Sequence, residues 1–236
     1  MAILGIQNCA VETFGRYEQS LVERGVEYRI VHPYLGEAFP PLADFDALLV
    51  GGTPISVHAI DEVPFLRAEH EYLADALASE MACFGICFGG QILARLLGAR
   101  VRSCEPKEIG GYNVDLTAAG QQDCVLSQFP RKFPVFHWHG DTFDVPIEAD
   151  LLVEGSPCQN QMFRHGRVIG VQFHLEVGAH EASEWIRAYA DELAGFGKDE
   201  AEVVKECCEQ EDVMARLADQ LLANFLRGVV GLPLVA

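Results

Sequence analysis

The pentapeptide Gly85-Ile86-Cys87-Phe88-Gly89 constrains this chain more than any other stretch. It closes a short apolar run, residues 81–86, and opens residues 88–97, whose apolar positions recur at helical spacing until Gly98 stops them. A cysteine between a buried strand and a helix, with glycine two residues to either side, is the cysteine form of the nucleophile elbow. Small neighbours permit a strained turn that lifts the nucleophile out of the sheet. The helix N-terminus favours a thiolate at that point and leaves the Phe88 N–H free to stabilise an oxyanion. The same pattern also suits a buried structural cysteine.

An elbow requires an α/β frame, and the chain supplies one. Residues 2–7, 27–31 and 47–50 read as strands, and residues 14–24 and 64–79 as helices, with Gly25 placed as a C-cap. From residue 111 the character changes. Residues 111–116, 135–138, 151–153, 161–164 and 168–174 read as strands with polar turns and no helices between them. Helical periodicity returns over residues 180–193 and 203–226. The predicted fold is α/β: an open mixed, mostly parallel sheet flanked by helices, with an antiparallel extension. No repeat, low-complexity tract or linker divides the 236 residues.

A thiol nucleophile needs a base, and the base needs an orienting acceptor. Gly170-Val171-Gln172-Phe173-His174-Leu175-Glu176 offers both. A strand ending at His174 delivers the imidazole to a sheet edge, and the i, i+2 spacing of extended backbone places Glu176 on the same side. His-x-Glu alone is equally a solvated loop pair. Beside an elbow, it makes Cys87, His174 and Glu176 a candidate triad.

Charge narrows the partners. Seventeen Lys+Arg against 35 Asp+Glu give a net charge of −18, a field that repels phosphate backbones and anionic lipid surfaces. Neither nucleic acid nor membrane is expected as a partner. No apolar run approaches a spanning helix, and the N-terminal residues lack the basic region of a secretory signal, so the expected location is the cytoplasm. The eight cysteines contain no CxxC pair, so neither a disulfide framework nor a structural zinc site is expected. His137-Trp138-His139 is a possible metal pair without a third local ligand. A pocket-wall role is preferred, with Asp141 read as a turn residue and no metal expected. Gly51-Gly52 is followed by neither GxGxxG nor GxxxxGK, so no nucleotide or other cofactor is expected.

GICFGGQ at residues 85–91, GVQFHLE at 170–176 and the turn GGTPISV at 51–57 together resemble the class I glutamine amidotransferases. KEIGGYNVDLT from Lys107 and HWHGD from His137 resemble the stand-alone branch related to the glutaminase half of GMP synthase. The resemblance spans about residues 1 to 190 and implies a flavodoxin-like arrangement of the sheet. By it, Cys87 attacks the carboxamide of glutamine or of a γ-glutamyl compound, His174 shuttles the proton and Glu176 fixes its tautomer. The backbone N–H groups of Gly52 and Phe88 would form the oxyanion hole, and Gln91, Trp138 and His139 would hold the substrate.

Three positions depart from the family pattern: Leu175 replaces a proline, Thr53 is inserted before Pro54, and Gly111 stands where an aromatic is usual. A glycine at 111 is expected to enlarge or loosen what that side chain borders. No synthetase module is visible, which implies a hydrolase acting alone or an ammonia-supplying subunit of a separate synthase. A non-catalytic interaction or regulatory protein with the same fold is the alternative. Residues 1–197 form the expected catalytic domain. Residues 198–236 form a C-terminal helical extension packed on it, with an acidic face and docking or homodimer contact as the other use of that helix.

Overall fold

Strand β4 (Ala82–Ile86) lies in the parallel half of the sheet and ends at the elbow. The structure is a computed structural model describing residues 2–232. Met1 and residues 233–236, the end of the expected extension, lie outside the described residues.

The described residues form a nine-stranded sheet in the order β2-β1-β3-β4-β9-β8-β7-β5-β6. β1 (Ala2–Ile6), β2 (Glu27–Val31), β3 (Ala47–Val50), β4 and β9 (Val168–Val171) pair in parallel. β8 (Asn160–His165), β7 (Asp150–Glu154), β5 (Val101–Leu116) and β6 (Lys132–Phe143) continue the sheet through antiparallel ladders. The α/β sheet with an antiparallel extension is thus as expected. β5 and β6 are much longer than their apolar centres suggested, because a register irregularity between Ser103 and Glu108 lets one ladder run through a polar stretch.

Alternate residues of the parallel strands feed two cores. Ile3, Leu49, Phe84 and Ile169 pack with α1 (Gly15–Glu23), α4 (Ala179–Ala188) and α6 (Glu200–Phe225). Leu4, Leu48, Cys83 and Val168 pack with α2 (Pro64–Ala78) and α3 (Phe88–Leu96). Close approach of α3 to the sheet requires glycine. A Cβ on Gly85 would overlap the Gly89 backbone, and one on Gly89 would overlap Val50 O.

The helix expected over residues 180–193 is broken. α4 ends at Ala188 and α5 (Ala190–Phe196) restarts after Tyr189, whose φ of −118° and ψ of 29° interrupt the hydrogen-bond ladder. α6 buries Val203, Cys207, Met214, Leu221 and Phe225. Its Glu206 accepts from the Gly111 N–H at 2.9 Å and from Lys198 Nζ at 2.6 Å. The absent side chain at Gly111 therefore leaves no enlarged or loosened space: α6 occupies it, with Glu206 Cβ 3.1 Å from where a Cβ at 111 would stand. No helix among the described residues is long and apolar enough to cross a membrane.

One cysteine pair corrects the sequence expectation. Cys104 at the β5 irregularity and Cys158 in the β7–β8 turn form a disulfide, with Cα atoms 6.1 Å apart and a sequence separation of 54. Spacing along the chain gave no sign of it, because the two cysteines stand on different elements that only the folded sheet brings together.

Candidate active site

The parallel register explains how distant motifs meet. Gly85 pairs with Gly170 and Ile86 with Val171, so Cys87 and Gln172 leave the sheet side by side at the carboxyl ends of β4 and β9. Cys87 is the N-cap of α3 and has φ +53° and ψ −110°, a strained conformation for a side-chain-bearing residue. Its own N–H is used by Val171 O at 2.8 Å. Phe88, the first residue of α3, has no intrahelical acceptor for its N–H, the condition needed for an oxyanion donor.

His174 lies beyond β9, contrary to the expectation of one strand from 168 to 174. A bridge to β6 holds it instead: Phe136 N–H donates to His174 O at 3.0 Å, and His174 N–H donates to Phe136 O at 2.8 Å. Nδ1 of His174 meets Glu176 Oε1 at 2.5 Å, and the ring packs edge-on against Trp185. Nε2 is buried without a hydrogen-bond partner among the described residues. Burial opposes charge on His174, yet Glu176 and Cys87 together hold its pKa well above the ordinary imidazole value.

Three other thiols are poor nucleophiles, Cys83 and Cys207 buried and Cys9 half-buried. Burial pushes Cys83 and Cys207 up to about 12 and Cys9 up to about 11.

A cavity of about 270 Å³ opens at Cys87. Along one wall Gln91 Nε2 donates to Asp141 O at 3.0 Å and to Gln172 Oε1 at 3.2 Å, while Gln172 Nε2 donates to Cys87 Sγ at 3.6 Å. Gln172 went unnoticed in sequence because its fully buried side chain comes from a strand end that reads as apolar. His139 lines the cavity and joins Asp141 O at 3.0 Å through Nδ1 and Glu108 Oε2 at 2.8 Å through Nε2. Trp138, also on the wall, donates to Glu192 at 3.1 Å. Asp141 lies within β6 rather than in a turn, and its Oδ2 accepts from Ser56 at 2.7 Å.

His137 is not a wall residue. It is fully buried beneath Tyr112 and His139, and burial holds its pKa well below the ordinary value. The third potential ligand missing from the local sequence is Glu108, brought opposite His139 by the β5–β6 register. Glu108, His137 and His139 bring ligand atoms within 4.8 Å of one another, although Glu108 already accepts from His139 and from Gln161 at 3.0 Å.

Gly52 lies close to both Cys87 and Glu12, an acid that sequence reading missed. A Cβ there would lie 3.7 Å from Cys87 Cβ and would overlap Glu12 Oε2. The inserted Thr53 is buried beside it, its Oγ1 accepting from Ile55 N–H at 3.4 Å.

Known proteins share the sequence and the fold of this chain. A protein of Salmonella typhimurium described as a putative glutamine amidotransferase-like protein YfeJ is 35% identical over 188 residues, covering 78% of this chain and 79% of that one. One subunit of a glutamine-hydrolyzing GMP synthase from Sulfurisphaera tokodaii is 27% identical over 174 residues, covering 71% of this chain and 88% of that one. The crystal structure of a glutamine amidotransferase from Thermotoga maritima superposes with a TM-score of 0.89 at 31% identity, covering 96% of this chain and 98% of that one. The model of the family described as glutamine amidotransferase class-I matches residues 9–190, and the chain belongs to that family.

Proposed function

We propose that this chain hydrolyses the side-chain amide of glutamine or of a γ-glutamyl compound through a γ-glutamyl thioester on Cys87. The supporting observation is the strained Cys87 at a helix N-terminus beside a buried imidazole whose far nitrogen is held by Glu176 at 2.5 Å. Cys87 Sγ forms a bond to the amide carbon while His174 Nε2 holds the proton of the pair. The carbonyl oxygen takes up charge against the N–H groups of Phe88 and Gly52. His174 returns the proton to the leaving nitrogen, the C–N bond breaks, and ammonia or an amine departs. Water, deprotonated by His174, then attacks the thioester, and the C–S bond breaks to regenerate the thiol. Gln91, Trp138 and His139 contribute the wall that holds the γ-glutamyl group.

Purified protein should release glutamate from glutamine or γ-glutamyl amides, and Cys87→Ala should lose at least about a thousandfold in kcat, the scale seen when a nucleophile is removed. An electrophilic glutamine analogue should label Cys87 selectively. Equal turnover by Cys87→Ala would remove the mechanism, and absence of label would favour a non-catalytic protein.

Likeness to a chain named as one subunit of a GMP synthase favours a second arrangement, in which the ammonia is handed to a separate synthase chain. Capture of a synthase by the tagged protein, with stimulation of its glutaminase rate, would support it. We place residues 1–197 as the catalytic unit, residues 198–236 as its extension, and the protein in the cytoplasm.

A further inference from the structure

Glu12, which follows β1, is only 8% exposed, yet it lines the cavity that holds Cys87. Its Oε1 accepts from the Tyr189 hydroxyl at 2.8 Å, and Tyr189 reaches it because the helix breaks between α4 and α5. Its Oε2 has no hydrogen-bond donor in place among the described residues and crowds Gly52 at the same point that Cys87 Cβ approaches. This acid takes no part in the chemistry set out above.

Two features indicate what such a group is for. Burial pushes the Glu12 carboxyl above the ordinary range; His174 and the Tyr189 and Cys9 side chains pull it back, and Glu176 adds to the rise. A carboxylate half-satisfied in a buried site is costly, and a cation seated on its free oxygen removes that cost. Further acids stand on the same wall. Glu105 stands exposed at the rim, Asp141 faces the cavity, and Lys107 is committed to Glu192 at 2.7 Å.

Position assigns the acid to one end of the substrate. Gln91 and His139 converge on Asp141 O, whereas Glu12 sits against Gly52 beside Cys87 and within the field of His174, the group that protonates the departing nitrogen. We infer that the amine released by this site carries a second, positively charged group, and that Glu12, oriented by Tyr189, seats it. The substrate class is a γ-glutamyl amide of a diamine or longer polyamine. The inference rests on the hydrolytic reading above. Its balance is that reaction's: water enters, the amide C–N bond breaks, and glutamate and the free polyamine leave.

The test compares γ-glutamyl-diaminobutane, its uncharged isostere γ-glutamyl-pentylamine, and glutamine, by glutamate release. The cationic amide should exceed the isostere at least about tenfold in kcat/KM, mostly through KM. Glu12→Gln should shrink that ratio to less than about threefold. Tyr189→Phe, which keeps the carboxylate, should shrink it less, and it supplies the comparison if Glu12→Gln does not fold. Equal kcat/KM for the cationic amide and its isostere in the wild-type protein, or a ratio preserved in Glu12→Gln, would overturn the inference while leaving the hydrolytic reading intact. No turnover of any of the three, glutamine included, would sink both.

Discussion

The backbone N–H of Leu175 donates to Glu176 Oε2 at 3.0 Å, so the carboxylate that holds His174 by one oxygen is itself held by the other. A proline at 175 has no such hydrogen, and the departure from the family pattern at this position adds a donor to the site. Leu175→Pro should therefore weaken the His174–Glu176 pair. A hydrogen bond to a charged group contributes roughly 1.5–3 kcal/mol, and a loss of that order should appear in denaturant melts. Leu175→Ala, which keeps the N–H, controls for lost packing. A proline variant as stable as the alanine variant would show the bond to contribute nothing.

Glu69 on α2 is fully buried, accepts from Asn8 Nδ2 at 2.9 Å, and leaves Oε2 unpartnered among the described residues. Burial raises its pKa from 4.5 to about 8, against the pull of Asn8. The folded state therefore holds a proton that the unfolded chain releases. The associated stability is full below the unfolded pKa and is lost as pH rises toward 8, by an amount on the order of a few kcal/mol. Glu69→Gln should flatten that decline. Chemical melts of both proteins at pH 5, 7 and 9 would check it, and parallel pH curves would contradict it.

Glu206 ties α6 to β5 through the Gly111 amide and Lys198. Glu206→Ala leaves a part-buried N–H and an ammonium without their acceptor, at a cost of about 1–3 kcal/mol. Hydrogen exchange should accelerate in α6 and at Gly111 ahead of the parallel strands. Exchange unchanged in α6 would mean that its apolar face alone holds the helix.

The Cys104–Cys158 bridge closes a long loop, and chain-entropy arithmetic gives roughly 4 kcal/mol for one of this length. It also anchors the β5 segment that carries Ser103, Glu105 and Lys107 along the cavity wall. Cys158→Ser should lower the melting temperature by roughly 10 °C and raise KM more than it lowers kcat. Identical melting with and without a dithiol reductant would show that the bridge does not form in solution.

Much of the architecture was legible in residue order. β3 has the bounds that its apolar run and glycine stop indicate, because a short buried strand leaves an uninterrupted local signal. The long β5–β6 ladder was not legible, since its outer residues are polar and are ordered by their partner strand alone. The same limit applied to the site. Cys87, His174 and Glu176 announced themselves through local motifs, whereas Glu12 and Tyr189 carry no motif, and they and Gln172, a silent member of GVQFHLE, become site residues only by juxtaposition.

The sequence by itself determined that a cysteine stands on a strained strand-to-helix turn, that a His-x-Glu pair follows a later strand, and that an acidic α/β chain carries them. Tertiary structure alone decided that β4 and β9 are neighbours, that β6 rather than β9 holds His174, and that a break after α4 turns Tyr189 onto Glu12. Local propensities act over a few residues and leave their mark in the sequence. Strand pairing and cavity lining depend on which distant surfaces bury each other, and that is settled only when the whole core packs.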